Sequence, residues 1–324
     1  MTLSNPGNEG RVSCYGLVAK ISAGAKVAKV KEDRSVKISS KSFATRTLFV
    51  AFVAAFVAAA PSRAQGMGGG RQAAPTGPST DMQQTELHEL TDVQRQPGVK
   101  VDPKEQAAYD AFYHVNSENL DKKIQLGNAF LAKYPASIFD EAVDAGLVSA
   151  YYEKQDWNDF YSTADKALAL KPDDVDVLTT VGWVIPHFYN PQADNADEQL
   201  TKAETCEKHA IRVLATMPKP TGLSETQFAA SKAQKAIQAH SALGLVYFRR
   251  EDFANSATEL QQSLQNNPSP DQTDLYVLGM DLQNLSKFSE AVDVFGRCAK
   301  ALGNLQDRCK QSEDEAKRQA AQPK

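Results

Sequence analysis

Residues 243–268, LGLVYFRREDFANSATELQQSLQNNP, and residues 278–298, LGMDLQNLSKFSEAVDVFGRC, are two copies of one pattern. Leu243, Gly244, Tyr247, Phe253, Ser256, Leu260 and Ser263 of the first copy recur as Leu278, Gly279, Leu282, Phe288, Ala291, Phe295 and Cys298, each 35 residues later. Pro268 closes the first copy. A repeat near this period is what stacked helix–turn–helix units leave in a sequence. Glycine at 244 and 279 lets two helices cross closely, and a proline ends a helix because its nitrogen has no proton to donate. No such hairpin can bury its apolar face alone, so neighbours must stack on it.

The pattern resembles the tetratricopeptide repeat. Gly244, Tyr247, Ser256 and Pro268 stand in that family's glycine, tyrosine, small-residue and proline places. The resemblance implies an all-α fold, a right-handed solenoid of about five helical hairpins with a C-terminal capping helix, spanning residues 102–320. It also implies a non-enzymatic role: such arrays hold a peptide or protein against the concave wall made by the first helix of each unit. Carried over position by position, that groove falls on Ser149, Tyr152, Trp183, His187, Leu245, Phe248, Arg249, Met280 and Asn284. Trp183 and Phe248 are equally suited to packing between units. The resemblance implies no cofactor and no metal.

The other units depart from the pattern in instructive ways. Asp102-Pro103 opens the array as an N-cap followed by a proline at the first helical position. In the first unit, however, Lys123 and Gly127 stand where small and aromatic residues are expected. The second unit carries Leu147, Tyr151, Trp157, Ala164, Ala167 and Pro172, but has Phe160 at a small-residue place. The third carries Val181 and Gly182, and its second helix resumes the pattern only at Ala203 and Ala210. About nine extra residues therefore lie in the stretch from Pro186 to Asp197, which includes Phe188 and Tyr189. Long connections are disproportionately functional, so Phe188 and Tyr189 are added to the candidate binding residues. Their alternative is packing on the adjoining long helix near Phe228. That helix is expected to run from a capping box at Ser224–Gln227 to Arg250, and a second capping box at Ser269–Gln272 opens the last unit.

Charge is unevenly spread. Residues 1–64 hold ten Lys and Arg against three Asp and Glu, leaving 26 against 37 in the remainder. An acidic body lacks the basic footprint that nucleic-acid binding needs. The basic segment reads as a leader carrying a signal peptide: Lys37, Lys41 and Arg46 precede the apolar run Thr47–Ala60, and Ser62-Arg63-Ala64 offers a small-x-small cleavage site. The run is short for a bilayer span, which needs about 20 residues. A periplasmic or secreted protein is expected, with a membrane-tethered scaffold of an envelope complex as the alternative if the leader is uncleaved. No methionine lies between Met1 and Met67, and the depth of the run points to a translation start near Val36. Residues 65–101, rich in glycine, proline and polar residues, read as a flexible linker, largely disordered.

Cys298 and Cys309 lie eleven residues apart across a Gly303-Asn304 turn. Two antiparallel helices face each other at that spacing, and an exported protein would oxidise them to a disulfide. Cys206 is then expected to stand alone. Cys206 and His209 share a helix face at metal-ligand spacing, and His187 could serve as a base, which together make a hydrolase or metal-dependent enzyme the less favoured alternative. No nucleophile motif, phosphate loop or paired carboxylates accompany them.

Overall fold

A computed structural model of the chain describes residues 101–116, 118–220, 223–265 and 267–322. The leader, its apolar run and the linker up to residue 100 lie outside the described residues. Within those described, eleven helices follow one another: α1 Pro103–Tyr113, α2 Leu120–Lys133, α3 Asp140–Lys154, α4 Trp157–Leu170, α5 Val175–His187, α6 Ala196–Thr216, α7 Glu225–Arg249, α8 Phe253–Leu264, α9 Gln272–Asn284, α10 Phe288–Lys300 and α11 Gln306–Ala320. The first ten pair as five consecutive hairpins, and α11 caps α10. Each hairpin's first helix touches the next hairpin's first helix, from α1–α3 through α7–α9, while no two second helices are in comparable contact. A stack that is close on one side and splayed on the other is an α-solenoid whose concave wall is made of α1, α3, α5, α7 and α9.

The repeat is visible atom by atom at the hairpin turns. Gln155, Glu251 and Ser286 each adopt a positive φ near 60°. The next residue's N–H then reaches back to the helix: Asp156 to Tyr151 O at 3.0 Å, Asp252 to Tyr247 O at 3.0 Å and Lys287 to Leu282 O at 2.8 Å. These bonds satisfy carbonyls that a helix end would otherwise leave open. Trp157, Phe253 and Phe288 then open the second helices. Unit three has no such turn, because the extra residues replace it.

The glycines sit at crossings, as their place in the pattern predicts. A Cβ on Gly244 would lie 2.5 Å from Leu260 Cγ, and one on Gly279 would lie 2.5 Å from Phe295 Cε1. The degenerate first unit solves the same problem in reverse: Gly127 of α2 makes room for Phe112 of α1 and Leu147 of α3, so the bulk comes from the partner helices. Ser224 forms the expected capping box with Gln227. The last unit differs from expectation. Its cap is Asp271, which accepts from Thr273 N at 2.6 Å, while the Gln272 side chain turns inward to Cys298 O at 3.1 Å and receives Leu305 N at 2.8 Å. Proline at 270 cannot donate, and the buried amide has better partners in the final turn.

Units four and five are joined by hydroxyl–carboxyl links. Asp274 of α9 is bonded by Ser241 Oγ at 2.7 Å and Ser263 Oγ at 2.8 Å. Asp281, two turns on, lies 2.6 Å from Ser256 Oγ, which is also 2.9 Å from the Gly244 carbonyl. A hydroxyl has one proton, so the two Ser256 contacts are both satisfied if a protonated Asp281 donates to Ser256, which donates to Gly244. Burial pushes both carboxyls up to about 7.

Cys298 and Cys309 form the expected disulfide, with Cα atoms 5.7 Å apart, pinning the cap to α10. Cys206 does not stand alone as expected, since it too is disulfide-bonded. Reducing the 298–309 bridge, or replacing Cys309 with Ser, is expected to lower stability by about 2 to 3 kcal/mol, the loop-closure value for a bridge of this span. Denaturant midpoints of the wild type and Cys309→Ser, each with and without reductant, check this; a Cys309→Ser protein as stable as the oxidised wild type would refute it.

Candidate functional site

The expected groove residues divide into two groups. Tyr152, Trp183, His187 and Arg249 lie at the C-terminal ends of α3, α5 and α7 and meet there. Met280 and Asn284 belong to α9, where Met280 packs against a separate core cluster and Asn284 Nδ2 donates to the Met280 carbonyl at 2.9 Å. Ser149 is half-buried, Leu245 is only 3% exposed and packs in the core of the last two units, and Phe248 is half-buried against Phe253 at 6.1 Å.

The meeting point is aromatic because three successive helix ends and the inserted loop all contribute rings. Tyr152 meets the edge of Trp183 at 6.1 Å and of Trp157 at 6.4 Å. His187 stacks on Trp183 at 3.7 Å, four residues back along the same helix. The loop aromatics do not reach Phe228, which packs with Val175 and Leu214 in a third cluster. Phe188 instead lies against Trp157 at 4.6 Å, and Tyr189 lies under the Arg249 guanidinium at 5.7 Å. Phe188 keeps 42% of its surface exposed, whereas Trp183 keeps 7%. The packing role suits Trp183, and the accessible apolar surface is that of Phe188. A shallow hollow of about 400 Å³ is lined by Lys154, Gln155, Asp156, Trp157 and Asn158, at the turn between α3 and α4.

Two polar side chains beside the rings are tied to backbone carbonyls of α5. His187 Nδ1 lies 2.7 Å from the Trp183 carbonyl, which can only accept, so Nδ1 carries the proton in the neutral ring. Burial lowers its pKa to about 4, and near neutral pH it is an uncharged aromatic wall. Arg249 is exposed and donates Nε–H to the Pro186 carbonyl at 3.3 Å. Its neighbour Arg250 is committed to Glu204 and to Thr201 Oγ1 at 2.8 Å, bracing α7 against α6.

The Cys206–His209 pair does not converge on a site. Cys206 is fully buried, and His209 Nε2 points to Asp173 at 2.7 Å. Among the described residues no three His, Cys, Asp or Glu side chains stand where they could share a metal ion. The feature missed in the sequence is Glu207. Allowing for the nine-residue insertion, it occupies the place of Leu260 and Phe295 in the repeat. It is fully buried on Gly182, where a Cβ would collide with Glu207 Oε1, and neither carboxyl oxygen has a hydrogen-bond partner among the described residues. Burial raises its pKa well above the ordinary value, opposed only in part by Lys235.

Among solved structures, the chain is similar to a thermophilic TPR protein of Thermus thermophilus, at 14% sequence identity and a TM-score of 0.41. That match covers 65% of this chain and 98% of the other. No family model matches the sequence, and no curated protein matches it.

Proposed function

We propose that this chain is an exported, non-enzymatic interaction module that holds a peptide or protein segment along the concave wall of its helical array. The observation that carries this reading is the contact pattern of the helices: the first helices of all five hairpins pack on one another in series, while the second helices stand further apart and α4 and α6 meet only through long side chains such as the Lys202–Asp165 ion pair, which leaves a continuous inner surface. At one end of that surface the inserted loop presents Phe188, the most exposed aromatic of the cluster. Exposed aromatics on a rigid scaffold are typical anchors for a partner. Export is supported by the basic residues, apolar run and cleavage site of residues 37–64, and by the Cys298–Cys309 disulfide, which persists in oxidising compartments.

Affinity capture from the native envelope tests the binding role. Replacing Phe188 and Tyr189 together with Ser is expected to abolish capture of the proteins retained by the wild type, with the melting temperature held within a few degrees. Capture undiminished on the folded double variant would refute the loop's part in binding. Sequencing the mature N-terminus tests export: a first residue near Gln65 is expected, and an intact leader in protein retained by membranes after a high-salt wash would instead identify the tethered scaffold.

A further inference from the structure

The apolar core is divided within α7. Ala242 and Val246 of that helix pack with the first three hairpins, whereas Leu245, the residue before Val246, packs with the last two. A small cluster of Val175, Leu214 and Phe228 holds the start of α7 to the third hairpin. Further along, polar links cross the same seam. Lys235 Nζ pairs with Asp176 at 2.5 Å, Gln238 Nε2 donates to the Thr179 carbonyl at 3.3 Å, Tyr247 OH donates to Glu204 at 3.1 Å, and Arg250 reaches Glu204 and Thr201. Such links exchange for water with little net loss, so a seam of this kind parts more readily than a continuous apolar wall. Glu207 of α6 lies beside it. Its carboxyl rests on Gly182 of α5, and neither oxygen has a hydrogen-bond partner among the described residues. The charged group acting on it is Lys235 of α7, which is already paired with Asp176 of α5. The other charges nearby are also engaged: Glu204 and Lys208 on α6 with each other, Asp165 of α4 with Lys202, and His240 of α7 with Glu259 of α8. An ionised carboxylate here would be stripped of water without a cation of its own, so the closed seam accepts only the protonated acid.

We infer that the junction of the third and fourth hairpins is a hinge latched by the proton on Glu207, and that losing this proton to water parts the first three hairpins from the last two. The cluster around Phe228 is the pivot, and the C-terminal half of α7 is the side that opens. Trp183 and His187 stand on one side of the hinge and Phe248 and Arg249 on the other, so opening takes apart the middle of the concave wall, whatever that wall binds. Asp274 and Asp281 lie at the next junction, where Leu245, Leu260 and the fifth hairpin share one core, and are not part of the latch. The closed hinge keeps the Glu207 proton and the opened hinge releases it, so closure is strongest at acidic pH. The opening equilibrium rises about tenfold for each pH unit above the ordinary carboxylate range, until the closed form also ionises.

A thiol placed in the seam reads the opening. Val246 is fully buried against the first core, and Val246→Cys keeps nearly the same volume. Labelling at residue 246 is followed by mass spectrometry of its peptide and divided, at each pH, by the rate of the same thiol in the unfolded chain. Val148→Cys, buried within the first three hairpins, is the control. The corrected rate at residue 246 is expected to rise about tenfold or more between pH 6 and pH 7.5, while that at residue 148 stays slow. In the Val246→Cys background, Glu207→Gln keeps the shape of the protonated acid and cannot ionise, and Glu207→Leu removes the group outright. Both are expected to hold the rate at its pH 6 level throughout. A rate at residue 246 that does not respond to pH overturns the latch, as does a response that survives both substitutions. Equal acceleration at residues 148 and 246 overturns the hinge, because the whole array then opens together.

Discussion

Replacing Glu207 with leucine is expected to stabilise the protein by about 1 to 3 kcal/mol, the penalty of a buried polar group without a partner. In units four and five the equivalent place holds Leu260 and Phe295, each filling the space over a glycine. Glu207 fills the space over Gly182 with a carboxyl that has no hydrogen-bond partner among the described residues. Leucine supplies similar volume with no polar atom to desolvate. The same substitution should alter the pH profile. Below about pH 4 the protons of Glu207, Asp274 and Asp281 are held in both the folded and the unfolded chain. As pH rises, the unfolded chain releases them in the ordinary carboxylate range, while the folded chain keeps them until about 7 at Asp274 and Asp281 and beyond the ordinary range at Glu207. Unfolding therefore releases protons in that window, and stability declines as pH rises through it. His187 acts in the opposite sense. Its folded pKa is lowered to about 4, so its contribution is complete above about 6.5 and is lost as pH falls towards 4. Three acids outweigh one imidazole, and melting temperatures are expected to rise between pH 8 and pH 5. Glu207→Leu and Asp274→Asn should each flatten that slope. A wild-type melting temperature that climbs from pH 5 to pH 8, or a Glu207→Leu protein less stable than wild type, would sink this account of the buried carboxyls.

Gly244→Leu is expected to destabilise the array by about 3 kcal/mol or more, at or above the upper end for an overpacked core site. The first added atom would meet Leu260 Cγ at 2.5 Å and stand 3.3 Å from the Leu260 backbone nitrogen. A flexible tip could swing away from the first contact, but the backbone behind it blocks the rest of the side chain. Separating α7 from α8 would also break the chain running from Asp281 through Ser256 to the Gly244 carbonyl, so the damage should spread to the junction with unit five. Gly296, inside α10, is the control. A Cβ there meets nothing closer than 3.6 Å, and Gly296→Ala should gain about 0.5 to 1 kcal/mol from helix propensity alone. Denaturant midpoints of the two variants should move in opposite directions. Equal destabilisation would mean that helix propensity, and not the close crossing, governs both positions.

The amino-acid order by itself determined the hairpins, their order and the end of the array. These depend on features a few residues apart: the apolar rhythm of 243–264 and 278–298, the turn at Glu251 and Ser286, the caps at Asp102 and Ser224, and the eleven-residue spacing of Cys298 and Cys309. Near neighbours decide such features, and the repeat states them twice. Glu207 was also legible once the insertion was subtracted, but a charged residue is read as surface unless its place in the repeat is counted. The tertiary structure alone decided the rest. Whether Phe188 and Tyr189 turned towards Phe228 or towards Trp157 and Arg249 depended on which units the inserted loop could reach. Whether Asp274 and Asp281 were solvated or buried depended on how unit five docks on unit four. Contacts between residues far apart in sequence follow from the angle at which packed helices cross, and no short stretch of the chain contains that angle.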